Sequence, residues 1–272
     1  MKRLAGIMVG VALILTGCEG TSSSSSDDNT FVVGMECNYA PFNWQTNQES
    51  DTSVAIGGAG FCDGYDVMIA QSIADELDRE LEIKKVAWDG LQPALQSGEI
   101  DAIIAGMTAN EDRENGIDFT TPYFASEMVM IVRKGSEEAT YNNIQQFRKK
   151  TVIGQKNTNY DDIIDQIENV IHATPKASYP EMIVTLQSQE VDAITAELPV
   201  AQGAISANAD LAIVRFAQGK GFDIDTSVSI GLKEGSRDSD FFNAVQSALD
   251  KITQAKRDSW MEQARNNQPS QE

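Results

Sequence analysis

Apolar positions along this chain recur with two different periods. Phe31-Val32-Val33-Gly34-Met35 is a short continuous apolar run, the pattern of a strand buried on both faces. In GYDVMIAQSIADELDREL the period lengthens: Ile69, Ala70, Ile73, Leu77 and Leu81 fall at helical spacing and predict a helix. LEIKKVAW alternates and predicts a strand, DGLQPALQSG a short helix stopped by Gly98, DAIIAG another strand, and NEDRENG the opening of a helical turn. After TPYF the strand EMVMIVRK begins a second series. It continues with TVIGQ (strand), NYDDIIDQIENVI (helix, with His172 at its end), YPEMIVTLQSQ (helix), DAITAE (strand), LPVAQGAISAN (helix) and LAIVRF (strand). SVSIGLKEG reads as a closing strand, followed by helices from Ser239 to Gln268. The alternation predicts an α/β fold with parallel sheets covered on both faces. Ligands of such sheets bind at the carboxyl ends of the strands, here MECNYAPF, AWDG, AGMT, GQKNTN and TAELP.

The two series share a phrase. LQSGEIDAI (Leu95–Ile103) returns 91 residues later as LQSQEVDAI (Leu186–Ile194), with two of nine positions changed. Two copies are too few for a solenoid or propeller, so the repetition predicts two lobes of similar construction. In each copy a helix end turns through polar residues into a strand. The residues after that strand differ, IAGMT in the first copy and TAELP in the second, so facing lobes would bring two unlike strand ends to one cleft.

The ends of the chain address the compartment. Lys2 and Arg3 precede an apolar run from Leu4 to Leu15 that closes in Leu15-Thr16-Gly17-Cys18. This is the build of a secretory signal, and it is shorter than the roughly 20 apolar residues of a stable membrane span. The L-T-G-C ending resembles the bacterial lipobox, which implies cleavage after residue 17 and lipidation of Cys18; an ordinary signal peptide with a coincidental Cys is the alternative. EGTSSSSSDDN cannot bury a core, so residues 18–29 read as a flexible tether. Of 21 basic residues two lie in 1–17, leaving 19 against 41 acids and a formal charge of −22. That charge repels nucleic acid and anionic lipid, so contact with the membrane is expected through the lipid anchor only. It favours the approach of cationic solutes, or is simply a solvated acidic surface. Cys37 and Cys62 are the other thiols; an even pair in an exported protein suggests a disulfide, and two independent buried thiols are the alternative.

Much catalytic chemistry is missing. His172 is the single histidine, and there is no G-x-S-x-G, no Cys/His metal spacing and no phosphate-cradling loop. No metal or cofactor is expected. The residues that are present suit a zwitterion. Arg113 follows AGMT at the start of a helical turn, where its planar fork can grip a carboxylate; a surface pairing with Glu111 or Glu114 is the plainer reading. Donors of Ala105–Thr108 can share that load. Glu197, at the matching strand end of the other lobe, can receive an ammonium, or is a solvated loop acid. Tyr39 and Trp88 can flank a side chain by stacking, or belong to the core.

YAPF, GYDVMIAQSIADEL, WDGLQPALQSGEIDAIIAGMTANEDR, IDFTTPYF and IGQKNT together resemble the family-3 extracellular solute-binding proteins of amino-acid ABC importers. The resemblance runs from about Phe31 into the C-terminal helices. It implies a two-lobed periplasmic-binding-protein-like fold (type II) with two hinge strands, lobe 1 formed by residues 30–122 and 228–268 and lobe 2 by 123–227. It also implies a monomer, anchored outside the cytoplasm at the cell surface or in the periplasm, that delivers a free amino acid to a permease with its ATPase. By position, Arg113 holds the α-carboxylate with help from Ala105, Gly106, Thr108 and Thr158. Glu197 stands where the family usually has an Asp for the α-ammonium. Tyr39 and Trp88 match aromatics beside the ligand, and Glu36 and Gln155 match positions that read the far end of its side chain. An acid at Glu36 points to arginine or another cationic amino acid, with glutamine next. Three departures touch the pocket: the extra methylene of Glu197, the long NQESDTSVAIGGAGFC segment, and no Gly before Thr158. Some relatives of this fold are cyclohexadienyl dehydratases with a catalytic acid one turn beyond the second strand end; here that place is Val200, which cannot titrate. Direct signalling is not expected, because neither a transmembrane segment nor a kinase comes after the lobes; a separate sensor as an additional partner is the alternative left open.

Overall fold

The computed structural model describes residues 29–58 and 60–269. The signal peptide, Cys18 and the tether up to residue 28 lie outside the described residues. The first lobe is built from β1 (Thr30–Met35), β2 (Asn38–Tyr39), β3 (Asn43–Thr46), β4 (Val54–Ala55), β5 (Phe61–Asp63), α1 (Tyr65–Glu76), β6 (Glu80–Lys85), α2 (Trp88–Ser97), β7 (Ala102–Ile103), α3 (Glu111–Glu114) and β8 (Ile117–Phe119). The second contains β9 (Met128–Arg133), β10 (Thr151–Ile153), α4 (Asn159–Asp162), β11 (Ile171–His172), α5 (Tyr179–Gln187), β12 (Ala193–Glu197), α6 (Leu198–Ala207) and β13 (Leu211–Val214). The chain then returns through β14 (Gly231–Lys233) to α7 (Asp240–Lys251) and α8 (Gln254–Asn267).

The two main sheets have the same plan, β6-β1-β7-β14-β8 and β11-β10-β12-β9-β13. In both, the first three strands are parallel and the last two pair antiparallel. The sheets are therefore mixed rather than parallel throughout, because the chain enters each lobe's far side from the other lobe, with the opposite direction. It crosses twice, between β8 and β9 and between β13 and β14. The crossing segments lie side by side: Phe124 and Val228 form an antiparallel bridge, and Tyr123 N–H donates to the Val228 carbonyl at 2.9 Å.

The repeated phrase has one meaning in both lobes. Its helix ends are α2 and α5, and its strands β7 and β12 are the middle strands of their sheets. Asp101 Oδ2 accepts the Val32 N–H at 2.8 Å, while its own N–H reaches the Val32 carbonyl at 2.8 Å. Asp192 does the same to Thr151, at 2.8 and 2.7 Å. Each Asp thus satisfies a backbone donor at the entry of the neighbouring strand, and sets the register of the two central strands.

Two predicted elements differ. The helix expected from Asn159 to Ile171 stops by Gln166, after α4 and a 3₁₀ turn, and His172 lies in the two-residue β11. Asn169 there has φ 54°, which no helix tolerates. The strand expected over SVSIGLKEG is regular only at β14, since Val228 to Ile230 serve the crossing. The long NQESDTSVAIGGAGFC segment, which carries no predicted element, supplies β4 and most of β5 of a four-stranded sheet, β2-β3-β5-β4. Gly64 enters α1 from it at φ 132°, where a Cβ would lie 2.4 Å from the Phe42 carbonyl oxygen.

Cys37 and Cys62 are bonded to each other, Cα atoms 5.7 Å apart, and staple this small sheet to the end of β1. Closing the intervening loop should stabilise the fold by roughly 3 kcal/mol. Cys62→Ser is expected to lower the melting temperature by several degrees, and a reductant should then have little further effect. Equal melting of wild type with and without reductant would show that the staple contributes nothing.

Candidate functional site

The carboxyl ends of β1, β7, β10 and β12 converge where the lobes meet. There a cavity enclosing about 310 Å³, mouth included, is walled by Glu36, Tyr39, Trp88, Gly106, Thr108, Arg113, Gln155, Thr158, Asn159 and Tyr160. Eight of the ten residues proposed from sequence are in that wall. Ala105 and Glu197 are buried just outside it.

Arg113 is placed by local structure. Asn110 caps α3 by accepting the Arg113 N–H at 2.8 Å, and the guanidinium turns back to donate to the Thr108 carbonyl at 2.7 Å. It lies over the Trp88 ring, 5.1 Å from the centroid, and reaches the Asn157 carbonyl of the other lobe at 3.3 Å. Burial lowers its pKa to about 10, with Tyr160 and the more distant Asp162 opposing the shift. Among the described residues no carboxylate lies within 4.0 Å of it, so neither Glu111 nor Glu114 is its partner. A half-buried guanidinium held by carbonyls and a ring, but by no anion, is prepared for one. The helix dipole adds little, because α3 is a single turn.

Glu36, 5% exposed, is the acid of the cavity wall. Gln155 Nε2 points at both its oxygens, at 3.3 and 3.2 Å, and also donates to the Ala177 carbonyl at 3.0 Å. Burial raises the Glu36 carboxyl to about 7; the bonds from Gln155 and the Trp88 backbone oppose this, and Asp89 adds to it. These donors are neutral, the Gln155 amide is shared with a carbonyl, and among the described residues the carboxylate has no cationic partner. A cation at this end of the cavity would be favoured.

Glu197 is wholly buried. Its Oε1 accepts the Tyr39 hydroxyl of the opposite lobe at 2.6 Å, and Oε2 accepts Ser126 Oγ from the first crossing segment at 2.9 Å. Burial raises its pKa, against the bonds from Tyr39 and Ser126. Tyr39 stacks on Phe42, ring centroids 5.2 Å apart, and touches Tyr179 at the same spacing. Gly106 has φ +62°, and a Cβ there would come within 2.9 Å of the Tyr39 ring. Its N–H is already donated to the Tyr123 hydroxyl at 3.0 Å, so it is not a free donor to a ligand. Thr158 Oγ1 donates to the Gln155 carbonyl at 2.7 Å, which fixes the turn into α4.

Two wall residues, Asn159 and Tyr160, were not foreseen from the sequence. The Tyr160 hydroxyl is buried without a hydrogen-bond partner of good geometry, in the field of Glu197. Lying directly after IGQKNT, both were within reach of the motif, but only folding turns α4 toward the cavity. Around the mouth the lobes touch directly. Trp88 Nε1 donates to the Asn157 carbonyl at 3.0 Å, and Asp89 accepts Lys156 and Asn157, each at 2.7 Å.

The profile of the bacterial extracellular solute-binding proteins, family 3, matches residues 31–263. The chain is 27% identical to the L-cystine-binding protein TcyJ of Escherichia coli (strain K12) over 253 residues, 91% of this chain and 88% of that protein. Among solved structures it resembles AbpA, an amino acid ABC transporter substrate-binding protein from Streptococcus pneumoniae Canada MDR_19A bound to L-arginine. The TM-score is 0.75 at 28% identity, covering 88% of this chain and 95% of that one. An ancestral arginine-binding protein bound to glutamine gives 0.72 at 26% identity, covering 86% and 97%.

The Glu36 pKa lies above its unfolded value of 4.5, so its contribution to stability is complete below about pH 4.5 and is lost as pH rises through about 7. In urea denaturation without ligand, Glu36→Gln should gain on wild type by about 2–3 kcal/mol between pH 5 and pH 8. A stability difference that does not move with pH would place Glu36 in contact with water.

Proposed function

This chain belongs to the bacterial extracellular solute-binding proteins of family 3, and we propose that it captures arginine or another cationic amino acid between its lobes for delivery to an ABC permease. Glutamine is the second candidate. The observation that carries the reading is the half-buried Arg113, without an anionic partner among the described residues, in the wall of a cavity whose acid, Glu36, is buried and has no cationic partner. An amino acid with a cationic side chain supplies both counter-charges at once. Arg113 takes the α-carboxylate, with Thr108 and Thr158 beside it. The Ala105–Gly106 backbone stands on the same side, with the Gly106 N–H engaged by Tyr123, and Glu197 receives the α-ammonium. Tyr39 and Trp88 flank the side chain, and Glu36 with Gln155 receives its far end. Relatives named for L-arginine and glutamine ligands support this choice, and one named for L-cystine widens the panel to be tried.

The reading includes a division of the chain into residues 30–122 with 228–268 and residues 123–227, supported by the paired crossing segments around Tyr123 and Val228. It also includes lipidation of Cys18, supported by the L-T-G-C sequence, and a monomer tethered outside the membrane by residues 18–29. Among the described residues no helix is long and apolar enough to cross a membrane. A dehydratase activity is not proposed, because Val200 is apolar and buried where the acid would stand.

Arg113→Ala should leave a folded protein that has lost most amino-acid affinity, since removing one partner of a buried charge pair costs about 2–5 kcal/mol. Calorimetric titration showing affinity within about threefold of wild type would remove Arg113 from the site. The ratio of arginine to glutamine affinity should fall as pH drops through about 7, where Glu36 takes up its proton. In Glu36→Gln the ratio should be at least tenfold lower at pH 8, about 1.4 kcal/mol, and no longer depend on pH. Equal weakening of both ligands would make Glu36 structural.

A further inference from the structure

Asp66, in the first turn of α1, is wholly buried and none of its atoms lines the cavity. Its oxygens are both used. Oδ1 accepts the Tyr123 hydroxyl at 2.7 Å, and Oδ2 accepts Asn43 Nδ2 at 2.8 Å. The Tyr123 oxygen in turn accepts the Gly106 N–H at 3.0 Å. The bonds run one way: Gly106 donates to Tyr123, and Tyr123 donates to Asp66. Tyr123 belongs to the first crossing segment, and the second crossing holds the same loop through Ser229, whose N–H donates to the Met107 carbonyl at 2.8 Å. The loop so held, Ala105 to Thr108, contributes the Gly106 backbone to the cavity wall and the Thr108 carbonyl that orients Arg113.

We propose that Asp66 is a positioning residue for ligand capture: through the Tyr123 hydroxyl it fixes the Gly106 backbone, and with it the loop on which the Arg113 guanidinium rests. The proposal builds on the reading of this cleft as an amino-acid site, while the chain of bonds can be measured without any ligand. Each link is needed for its polarity. A carboxylate is the only group here that accepts from both Tyr123 and Asn43, and an amide at position 66 would turn a donor toward one of them. With the Tyr123 hydroxyl removed, the Gly106 N–H is left buried without an acceptor. The second direction of the amide network, from Cys37 N–H to Asn43 Oδ1 at 2.8 Å, fixes which side of Asn43 faces Asp66.

The chain has a spectroscopic consequence. Burial raises the Asp66 carboxyl to about 7, against the bonds from Tyr123 and Asn43, and the charge of Glu197 adds to it. Tyr65, whose hydroxyl donates to the Tyr123 carbonyl at 3.0 Å, completes the titratable surroundings, with Arg257 and Asp258 acting on it from α8. A proton on either Asp66 oxygen meets a donor already pointing there, so a bond breaks or the Tyr123 hydroxyl reverses, and the Gly106 amide senses the change.

The experiment is amide NMR on the ligand-free full chain, together with arginine titration at pH 8. In wild type the Gly106 amide should titrate with a midpoint near 7. In Tyr123→Phe and in Asp66→Asn that titration should disappear, and hydrogen exchange at Gly106 should quicken by at least tenfold. Arginine affinity should fall by about tenfold in each variant, and by no more in the double variant, because both break one chain. Unchanged Gly106 exchange in Tyr123→Phe, or losses that add in the double variant, would overturn the proposal. Should Asp66→Asn fail to fold, Tyr123→Phe, which keeps the ring and the core, decides alone through Gly106 exchange and affinity. A wild type that binds no amino acid would sink the proposed function itself, and the Gly106 measurements would still report on the bonds.

Discussion

A guanidinium partly withdrawn from water, with no carboxylate in reach among the described residues, is the constraint on which the cleft depends. Removing such a charge from water is unfavourable unless hydrogen bonds and a counter-charge compensate it. Arg113 has the first part of that compensation from the Thr108 and Asn157 carbonyls and the Trp88 ring. These belong to both lobes, so the site of the missing anion is assembled only where the lobes meet. The buried acids Glu36 and Glu197 are set apart from it, and each is held by neutral donors rather than by cations. Arg113 and Glu36 thus stand unpaired in one cavity wall with Glu197 buried just outside it, an arrangement that a zwitterion with a charged side chain can complete.

The two lobes share a framework and differ in what they attach to it. Asp101 and Asp192 make the same pair of bonds to the neighbouring strand, and β7 and β12 occupy the same place in their sheets. Beyond the strand the first lobe gives a glycine turn leading to Arg113, whereas the second ends in Glu197 and runs straight into α6. One lobe thus brings a cation and the other an acid to the junction by unlike routes. The repetition belongs to strand pairing, and the chain diverges just after it.

One buried acid ties the lobes to each other and to the crossing segments. The Tyr39 hydroxyl spans the lobes to Glu197, which also holds Ser126 of the first crossing. Ser126 N–H in turn donates to Thr226 Oγ1 of the second crossing at 3.3 Å. The acid proposed for the ammonium side is therefore bonded to the first crossing segment and linked through Ser126 to the second. The Glu197 carboxylate stands between Tyr39 and Ser126 and accepts from both.

Local periodicity was sufficient for the helices α1, α2, α5, α6, α7 and α8 and for the strands β1, β6, β9 and β13, because an apolar stripe or run dictates which backbone period buries it. The repeated LQS-DAI phrase revealed the two lobes, and motif positions brought Glu36, Tyr39, Trp88, Gly106, Thr108, Arg113, Gln155 and Thr158 to one wall. Three things were decided only by the tertiary structure. Strand direction in the sheets depends on where the chain crosses, which no local pattern encodes. The small sheet before α1 depends on pairing between β3 and β5 across a polar segment with little apolar alternation. The roles of Tyr160, of Asp66 and of the Gly106 amide depend on partners 17 or more residues away, and hydrogen-bond direction exists only once donor and acceptor are both placed. Sequence sets which residues can donate, accept or carry charge; packing at the junction of the lobes decides which of those capacities are already satisfied and which remain for a ligand.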